Sequence, residues 1–423
     1  MQRRVFLSQS LGALALAQLS AQRLRAADAA SDKVRLGIMG LNGRGSDLAR
    51  SFAGMPGVEI AYLCDVDSRA LGKTGEQVAQ RQEHRAEQVS DFRRILDDQS
   101  VDALVIAAPD HWHAPATILA CAAGKHVYVE KPDSHNPREG ELMVTAARQH
   151  SRVVQLGTQR RSMPMQIEAI ERLRSGEIGR VLFARGWYNN ARPSIGRGKT
   201  GPIPSWLDYE LWQGPAPEQP YRDNVVHYNW HWFWHWGTGE LGNNGIHALD
   251  VCRWGLGVDY PLSVTAGGGL YHYDDDQQTP DTHVVTYDFG GTGLTWEGRN
   301  WHRRGFEGNM FGMAFYGDKG TLTTEGDSYK IYEPDGKLRQ EQKGSDSQQP
   351  HLQNFVDCVR SGDRPRADIE EGHKSTLLCH LGNIAYRVGR TIRLDDAKHQ
   401  IVGDNEASQL WGREYRAQWR PEI

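Results

Sequence analysis

The sequence predicts two units in series: a doubly wound α/β domain over residues 31–157, then an α+β domain over 158–423 with an open, mostly antiparallel sheet. Two patterns carry this expectation. In the first third, short apolar runs alternate with helical stretches and the first run ends in a glycine-rich turn, which is the signature of βαβ units around a parallel sheet. Beyond residue 157 strand-like runs succeed one another with few helices between them. Length agrees, because the roughly 390 residues after position 30 exceed what one core usually supports.

The N-terminal residues 1–30 stand apart. Arg3-Arg4 followed by Phe6-Leu7, the apolar stretch Leu11–Ala17 and an Ala27-Asp28-Ala29 end give a basic start, a short apolar region and a small-residue cleavage site. The paired arginines predict a twin-arginine export signal, hence an extracytoplasmic or periplasmic protein exported already folded, with an ordinary secretory signal as the alternative. The apolar part is too short to span a bilayer, which takes about 20 residues, and no later segment is long enough, so no membrane span is expected after signal removal.

Net charge is −4 with 24% charged residues, which gives no reason to expect a nucleic-acid or membrane-surface partner. The five cysteines are odd in number, widely spaced and mostly within apolar runs, so a disulfide framework is not expected. Thirteen Trp is a high count, and aromatic faces can pack a core or receive the C–H face of a sugar.

Lys33–Met39 reads as a buried strand, and Gly40-Leu-Asn42-Gly43-Arg44-Gly45 leads into a helix from Ser46 to Phe52. Strand, glycine turn and helix in that order offer an approachable backbone and a helix N-terminus to a pyrophosphate, as in a Rossmann domain. Asn42 stands where the second glycine of G-x-G-x-x-G would be; Asn tolerates left-handed backbone, and Gly43 supplies a close approach. Asn42-Gly43 also suits a hairpin turn, but no strand alternation follows it. The second strand, Val58–Cys64, ends at Asp65, 25 positions after Gly40, where a carboxylate accepts ribose hydroxyls and favours NAD over NADP. Arg69 keeps NADP open, since a guanidinium can serve a 2′-phosphate.

A third strand, Val101–Ala108, ends in Pro109-Asp110-His111-Trp112-His113, and after the helix Ala114–Ala123 a fourth, His126–Glu130, runs into Lys131-Pro132. Strand ends of a doubly wound sheet converge on the ligand crevice, so Pro109-Asp110-His111-Trp112-His113 and Glu130-Lys131-Pro132 are expected at the nicotinamide end of a cofactor site, with Pro109, His113, Glu130, Lys131 and Pro132 as the cofactor contacts. A Lys between a buried strand and a cationic ring has reason to carry a lowered pKa, as an acid–base catalyst needs. A metal site is not expected, because His111 and His113 lack further ligands at recognisable spacing.

Together with the glycine turn, Cys64-Asp65-Val66-Asp67 and Pro109–His113, the tripeptide Glu130-Lys131-Pro132 resembles the glucose-fructose oxidoreductase, inositol dehydrogenase and rhizopine-catabolism family (Gfo/Idh/MocA). The resemblance implies that Lys131 lies beside the nicotinamide and assists proton transfer, while Pro132 shapes the turn.

Val153–Leu156 reads as the last strand of the first domain, and Gly157-Thr-Gln159-Arg160-Arg161 as the hinge. A helix from Met165 to Ser175 is followed by strands at Arg180–Tyr188, Leu262–Gly268, His283–Phe289, Gly293–Asn300, Met313–Tyr316 and Thr321–Thr324, with a Gly-, Pro- and Arg-rich loop over Asn189–Pro204. Helices at His351–Arg360 and Glu370–Val388 are expected to pack back on the core. In Asn229–Asp250, Asn243 and His247 lie four residues apart, the spacing of one helical face. The resemblance puts a substrate-facing Asp and His at these positions, so Asn243 can orient a sugar but carries no charge. His247, as a neutral imidazole, can take a hydroxyl proton. His227, His231 and His235 recur every four residues, a spacing that a zinc set could use; the Trp residues between them argue against one ligand face and leave packing or a sugar-stacking wall, with Trp230 and Trp234 as its candidates. Gln159, Arg160 and Arg161 are the remaining substrate candidates.

The expectation is an NAD(P)-dependent oxidoreductase that moves hydride between a tightly bound nicotinamide and a sugar, cyclitol or glycoside hydroxyl, with Lys131 and His247 moving the proton. A homo-oligomer, dimer or tetramer, is implied by the resemblance. Two alternatives stand beside it: an NAD-dependent glycosidase acting by transient C3 oxidation, and a sugar-responsive binding protein without turnover.

Overall fold

The computed structural model describes residues 33–423; the export signal expected in residues 1–30 lies outside the described residues. The first sheet holds β1 (Val34–Met39), β2 (Val58–Cys64), β3 (Glu87–Val89), β4 (Ala103–Ile106), β5 (His126–Val129) and β6 (Val154–Leu156). All neighbours are parallel, and the order β3-β2-β1-β4-β5-β6 reverses direction of winding between β1 and β4. β4, β5 and β6 are buried almost throughout, which is why they read as unbroken apolar runs rather than as alternation. β3, only three residues long and exposed, carries no such signal.

The turn after β1 has a steric reason for two glycines. Gly40 sits at φ +84°, and a Cβ there would lie 2.6 Å from the Ala107 carbonyl oxygen. A Cβ on Gly45 would lie 1.6 Å from the Gly40 carbonyl oxygen, so the helix Arg44–Ala53 can start this close to the sheet only without a side chain.

The second sheet contains β7 (Val181–Asn189), β8 (Ser263–Gly269), β9 (Thr282–Asp288), β10 (Gly293–Arg299), β11 (Phe311–Gly317), β12 (Gly320–Glu325), β13 (Ser328–Tyr332), β14 (Leu338–Lys343) and β15 (Ile392–Arg393). Its order is β14-β13-β12-β11-β7-β10-β9-β8-β15, antiparallel except for β7 with β10. β9 shows the alternation of a one-sided sheet: Val285 and Tyr287 are buried while Val284, Thr286 and Asp288 face outward. The inner face packs against the helices Pro164–Arg174, Ile246–Leu256 and Ile369–Val388 through Ile170, Leu173, Leu249, Cys252, Leu381 and Ile384.

The chain then returns to the first domain. In the helix Gln349–Ser361, Leu352, Phe355 and Val356 join the core of β1, and the Phe355 ring lies edge-on to Phe52 (6.3 Å) and Tyr128 (5.7 Å). The five cysteines are buried free thiols. No helix of the described residues is long and apolar enough to cross a membrane.

Candidate active site

A cavity of about 520 Å³ lies where the second domain covers the carboxyl ends of β1, β2, β4 and β5. Its first-domain wall includes Gly40, Asn42, Gly43, Arg44, Asp65, Pro109, Asp110, His113, Glu130 and Lys131. Its second-domain wall includes Gln159, Trp230, His231, Asn243, Asn244 and His247.

The residues at the glycine turn fit a dinucleotide. Gly43, at φ +78°, has open space where a Cβ would stand, and the helix starting at Arg44 turns its N-terminus to that space. Asp65 closes the far end: one oxygen accepts the Leu41 N–H (2.5 Å) and the other the Asp67 N–H (2.8 Å). Burial lifts its pKa above the usual carboxylate value, against those two N–H groups. Each carboxylate oxygen can accept a second hydrogen bond, as a ribose diol would donate. Arg69 is engaged elsewhere, bonded to Asp67 at 2.8 Å with its guanidinium 3.4 Å from the centre of the Trp206 ring.

Two strand ends set the reactive corner. His113 lies within 2.5 Å of the Pro132 carbonyl and 2.7 Å of that of Ala108, linking the segments after β4 and β5. Glu130 takes Arg44 at 2.7 Å; burial would raise its pKa, but Arg44 and Lys131 hold it below the usual value. The Lys131 ammonium donates to the Asn243 carbonyl (2.6 Å) and to Asn243 Oδ1 (3.1 Å) across the domain boundary. Burial lowers its pKa, with Glu130, Asp110 and Glu240 pulling the other way.

The facing wall departs from regular helix. Leu241–Gly245 winds as a π-helical turn before the α-helix Ile246–Leu256, so Asn243 and His247 do not share one α-helical face as their spacing predicts. Both still line the cavity, and the wide turn leaves the Asn243 carbonyl available to Lys131. Burial and the positive charges of Lys131, Arg160 and Arg44 hold His247 far below the ordinary imidazole pKa, hence neutral. Among the described residues, His247 Nδ1, Asn243 Nδ2 and Gln159 Oε1 are buried without a hydrogen-bond partner, in three side chains of one wall.

Several expected positions lie elsewhere. Arg161 is bound to Asp250 by a buried ion pair (2.8 Å) and does not line the cavity, because its charge is neutralised inside the second domain. Arg160 is also outside the lining, donating to the Gly326 carbonyl with its guanidinium over Phe311. Trp234 faces the opposite side of the loop, under Arg387, while Trp230 stacks on His231 at 3.5 Å on the cavity wall. Pro132 and Gly45 stand behind the lining, the first accepting from His113 and the second packed on Gly40. The three spaced histidines diverge, His227 to Asp67 (2.9 Å), His231 to the Tyr228 carbonyl (2.5 Å) and His235 to the Pro217 carbonyl (2.8 Å); no metal-binding group of His, Cys, Asp and Glu occurs among the described residues.

Asp110 lines the cavity beside Pro109 and His113 of the same strand-end segment, while Tyr228 and Asn244 line it without a signal in the sequence, because they come from irregular segments whose course only the tertiary fold fixes.

Residues 34–158 match the oxidoreductase family's NAD-binding Rossmann fold, and residues 194–421 match that family's C-terminal alpha/beta domain. The chain belongs to the Gfo/Idh/MocA oxidoreductase family. NAD(H) is therefore its cofactor. Among Gfo/Idh/MocA relatives, the chain is 25% identical over 381 residues to the scyllo-inositol 2-dehydrogenase (NAD(+)) of Bacillus subtilis, covering 86% of this chain and 97% of that one. It is 31% identical over 164 residues to a glycosyl hydrolase family 109 protein of Saccharopolyspora erythraea, a match covering 38% of this chain and only 36% of that relative's length. In fold it is similar to the aldose-aldose oxidoreductase from Caulobacter crescentus, solved with glycerol: TM-score 0.66, 22% identity, 86% of this chain and 100% of that one.

Proposed function

We propose that the protein is an NAD-dependent oxidoreductase of carbohydrate CH–OH groups, acting on a sugar, cyclitol or glycoside hydroxyl. The observation that carries this reading is the meeting of Lys131 with Asn243 and His247 in the same cavity as the Gly40 turn and Asp65. When bound, the cofactor supplies a hydride acceptor. Around it, Asn243, His247 and Gln159 offer donors and acceptors to a polyhydroxyl ring, and the Trp230–His231 stack offers an apolar face. Neutral His247 or the amine of Lys131 takes the hydroxyl proton as the carbonyl forms. The nearly full-length likeness to a scyllo-inositol dehydrogenase supports a cyclitol or pyranose ring as substrate.

The protein, purified with its nucleotide, tests this directly. Adding scyllo-inositol, levoglucosan or methyl glucosides should raise the reduced-nicotinamide absorbance or fluorescence; binding without a spectral change would point to a sensor. The match to a glycosyl hydrolase family 109 protein favours one second reading, glycoside cleavage through transient oxidation, for which aglycone appears without net NADH.

The export signal expected in residues 1–30 places this chemistry outside the cytoplasm, where no free NAD pool exists, so the nucleotide stays resident and is recycled by a second substrate or within one turnover. Contacts over the adenosine end support retention: the Ser68 N–H donates to the Trp206 carbonyl (3.0 Å), the Asp208 N–H to the Val66 carbonyl (2.9 Å), and His227 meets Asp67. Replacing Arg3-Arg4 by Lys-Lys should leave the protein in the cytoplasmic fraction. The outward face of the second sheet, with Val284 and Tyr316 partly exposed, suits pairing of subunits; light scattering on the purified protein gives the state.

A further inference from the structure

Asp110 is the first residue of the helix Asp110–Ala122, at the carboxyl end of β4, and is 1% exposed in the cavity wall. Its Oδ2 accepts a hydrogen bond from the Thr238 hydroxyl at 2.7 Å. Thr238 belongs to the second domain and is itself held: its carbonyl accepts from Asn383 (2.8 Å), and a Cβ on Gly242 would lie 1.9 Å from its hydroxyl oxygen. A hydroxyl suits a buried carboxyl in either state, because it donates to the carboxylate and, after rotating, accepts from the acid. The Thr238 hydroxyl can thus serve both protonation states of Asp110, while the Thr238 backbone N–H favours the carboxylate.

The charges around Asp110 complete the case. Lys131, in the segment after β5, faces it, and Glu139, on the helix Pro137–Gln149, opposes its ionisation; Lys131 is in turn surrounded by Glu130, Glu240 and Arg44. Burial lifts the Asp110 carboxyl to about 7, against Thr238 and Lys131. The hydride and the proton both stay in the closed site, so its net charge is the same wherever the proton rests; a proton held on an amine creates a buried positive charge, whereas a proton held on a carboxylate removes a buried negative one.

We propose that Asp110 stores the substrate proton between the two half-reactions, receiving it through Lys131 while Thr238 holds the carboxyl in place across the domain boundary. The proposal rests on the redox reading above. In the oxidative half, the substrate O–H and C–H bonds break and the C=O bond forms. The hydride leaves with its electron pair to bound NAD⁺, while the Lys131 ammonium gives a proton to the Asp110 carboxylate and takes the substrate proton in its place. The reductive half returns both to the second substrate's carbonyl, restoring NAD⁺ and the carboxylate. Asp110 acts through Lys131 and is a positioning and proton-holding residue.

Infrared titration of the purified holoprotein from about pH 5 to 9 tests the store without any substrate. Asp133, also lifted by burial to about 7, contributes a protonated-carboxyl band common to both proteins, so the Asp110 signal is the part of the band that the native protein shows and Asp110→Asn, which keeps an acceptor for Thr238, loses; that difference should titrate with a midpoint near 7. Thr238→Val should move the midpoint upward, and Thr238→Ser should restore it; a merely structural hydroxyl would move nothing. In single-turnover reduction by scyllo-inositol or levoglucosan, Asp110→Asn should be at least about tenfold slower above pH 7 with unchanged nucleotide content. A carboxyl titration identical in the native protein and Asp110→Asn, or a difference signal whose midpoint is indifferent to Thr238→Val, overturns the store. If neither compound reduces the nucleotide while the band titrates as described, the redox reading fails and the shared Asp110–Thr238 proton site stands.

Discussion

Lys131 and Asn243 meet across the two domains, the lysine ammonium donating to both the carbonyl and the side-chain oxygen of one asparagine. Asn is neutral, so it fixes the lysine without adding charge. The lowered pKa of Lys131 then follows from burial, opposed by Glu130, Asp110 and Glu240.

Asn243→Asp should reverse part of that lowering. A carboxylate in hydrogen-bond contact favours the ammonium, so the alkaline shift needed to free the amine grows. The pH–rate profile of nucleotide reduction should move its rising, acid-side limb to higher pH, with nucleotide content unaltered.

Lys131→Ala should leave NAD(H) bound, because the Gly40 turn and Asp65 are untouched, and should cut turnover by about 10²–10⁴-fold. Nucleotide content by absorbance and turnover by NADH fluorescence check the two halves separately. Unaltered turnover would remove Lys131 from the chemistry.

Arg161→Ala should destabilise the fold without a specific loss of substrate affinity. It strands Asp250, 1% exposed, in the second-domain core, and breaking a buried pair costs about 3–5 kcal/mol. Urea unfolding gives the stability and KM gives the affinity; a large KM change at intact stability would return Arg161 to the substrate.

Asp65→Ala should weaken NAD at least about tenfold, or about 1.4 kcal/mol, and more than it weakens NADP. It also leaves the Leu41 and Asp67 N–H groups without their acceptor, so thermal stability of the nucleotide-free protein should fall as well. Calorimetric titration with both nucleotides checks the selectivity.

Acidification should destabilise the protein below about pH 6.5. Burial holds His111, His231, His283 and His380 to about 3, and His351 and His373 to about 4, so the unfolded chain binds protons that the folded one refuses. Their contribution is present above 6.5 and lost as pH falls towards 3–4. Asp110 and Asp133, raised by burial to about 7, act oppositely between about 3.8 and 7, but they are outnumbered. Melting temperatures at pH 7 and 5 should therefore fall with pH; a higher value at pH 5 would contradict the buried neutral histidines.

The parallel sheet, the Gly40 turn, Asp65 and Glu130-Lys131-Pro132 were legible in the chain because each is a local pattern: an apolar run, a glycine that sterics demand, a carboxylate at a strand end. Asn243 and His247 were legible through the family resemblance and their spacing, though the π-turn that carries them was not. What only the tertiary structure decided is which polar groups of distant segments meet. Arg161 finds Asp250, His227 finds Asp67, and Asp110 finds Thr238, 128 positions away. Sequence periodicity records which face of an element is buried; the neutralisation of a buried charge depends on its partner, and that partner is chosen by the packing of the two domains.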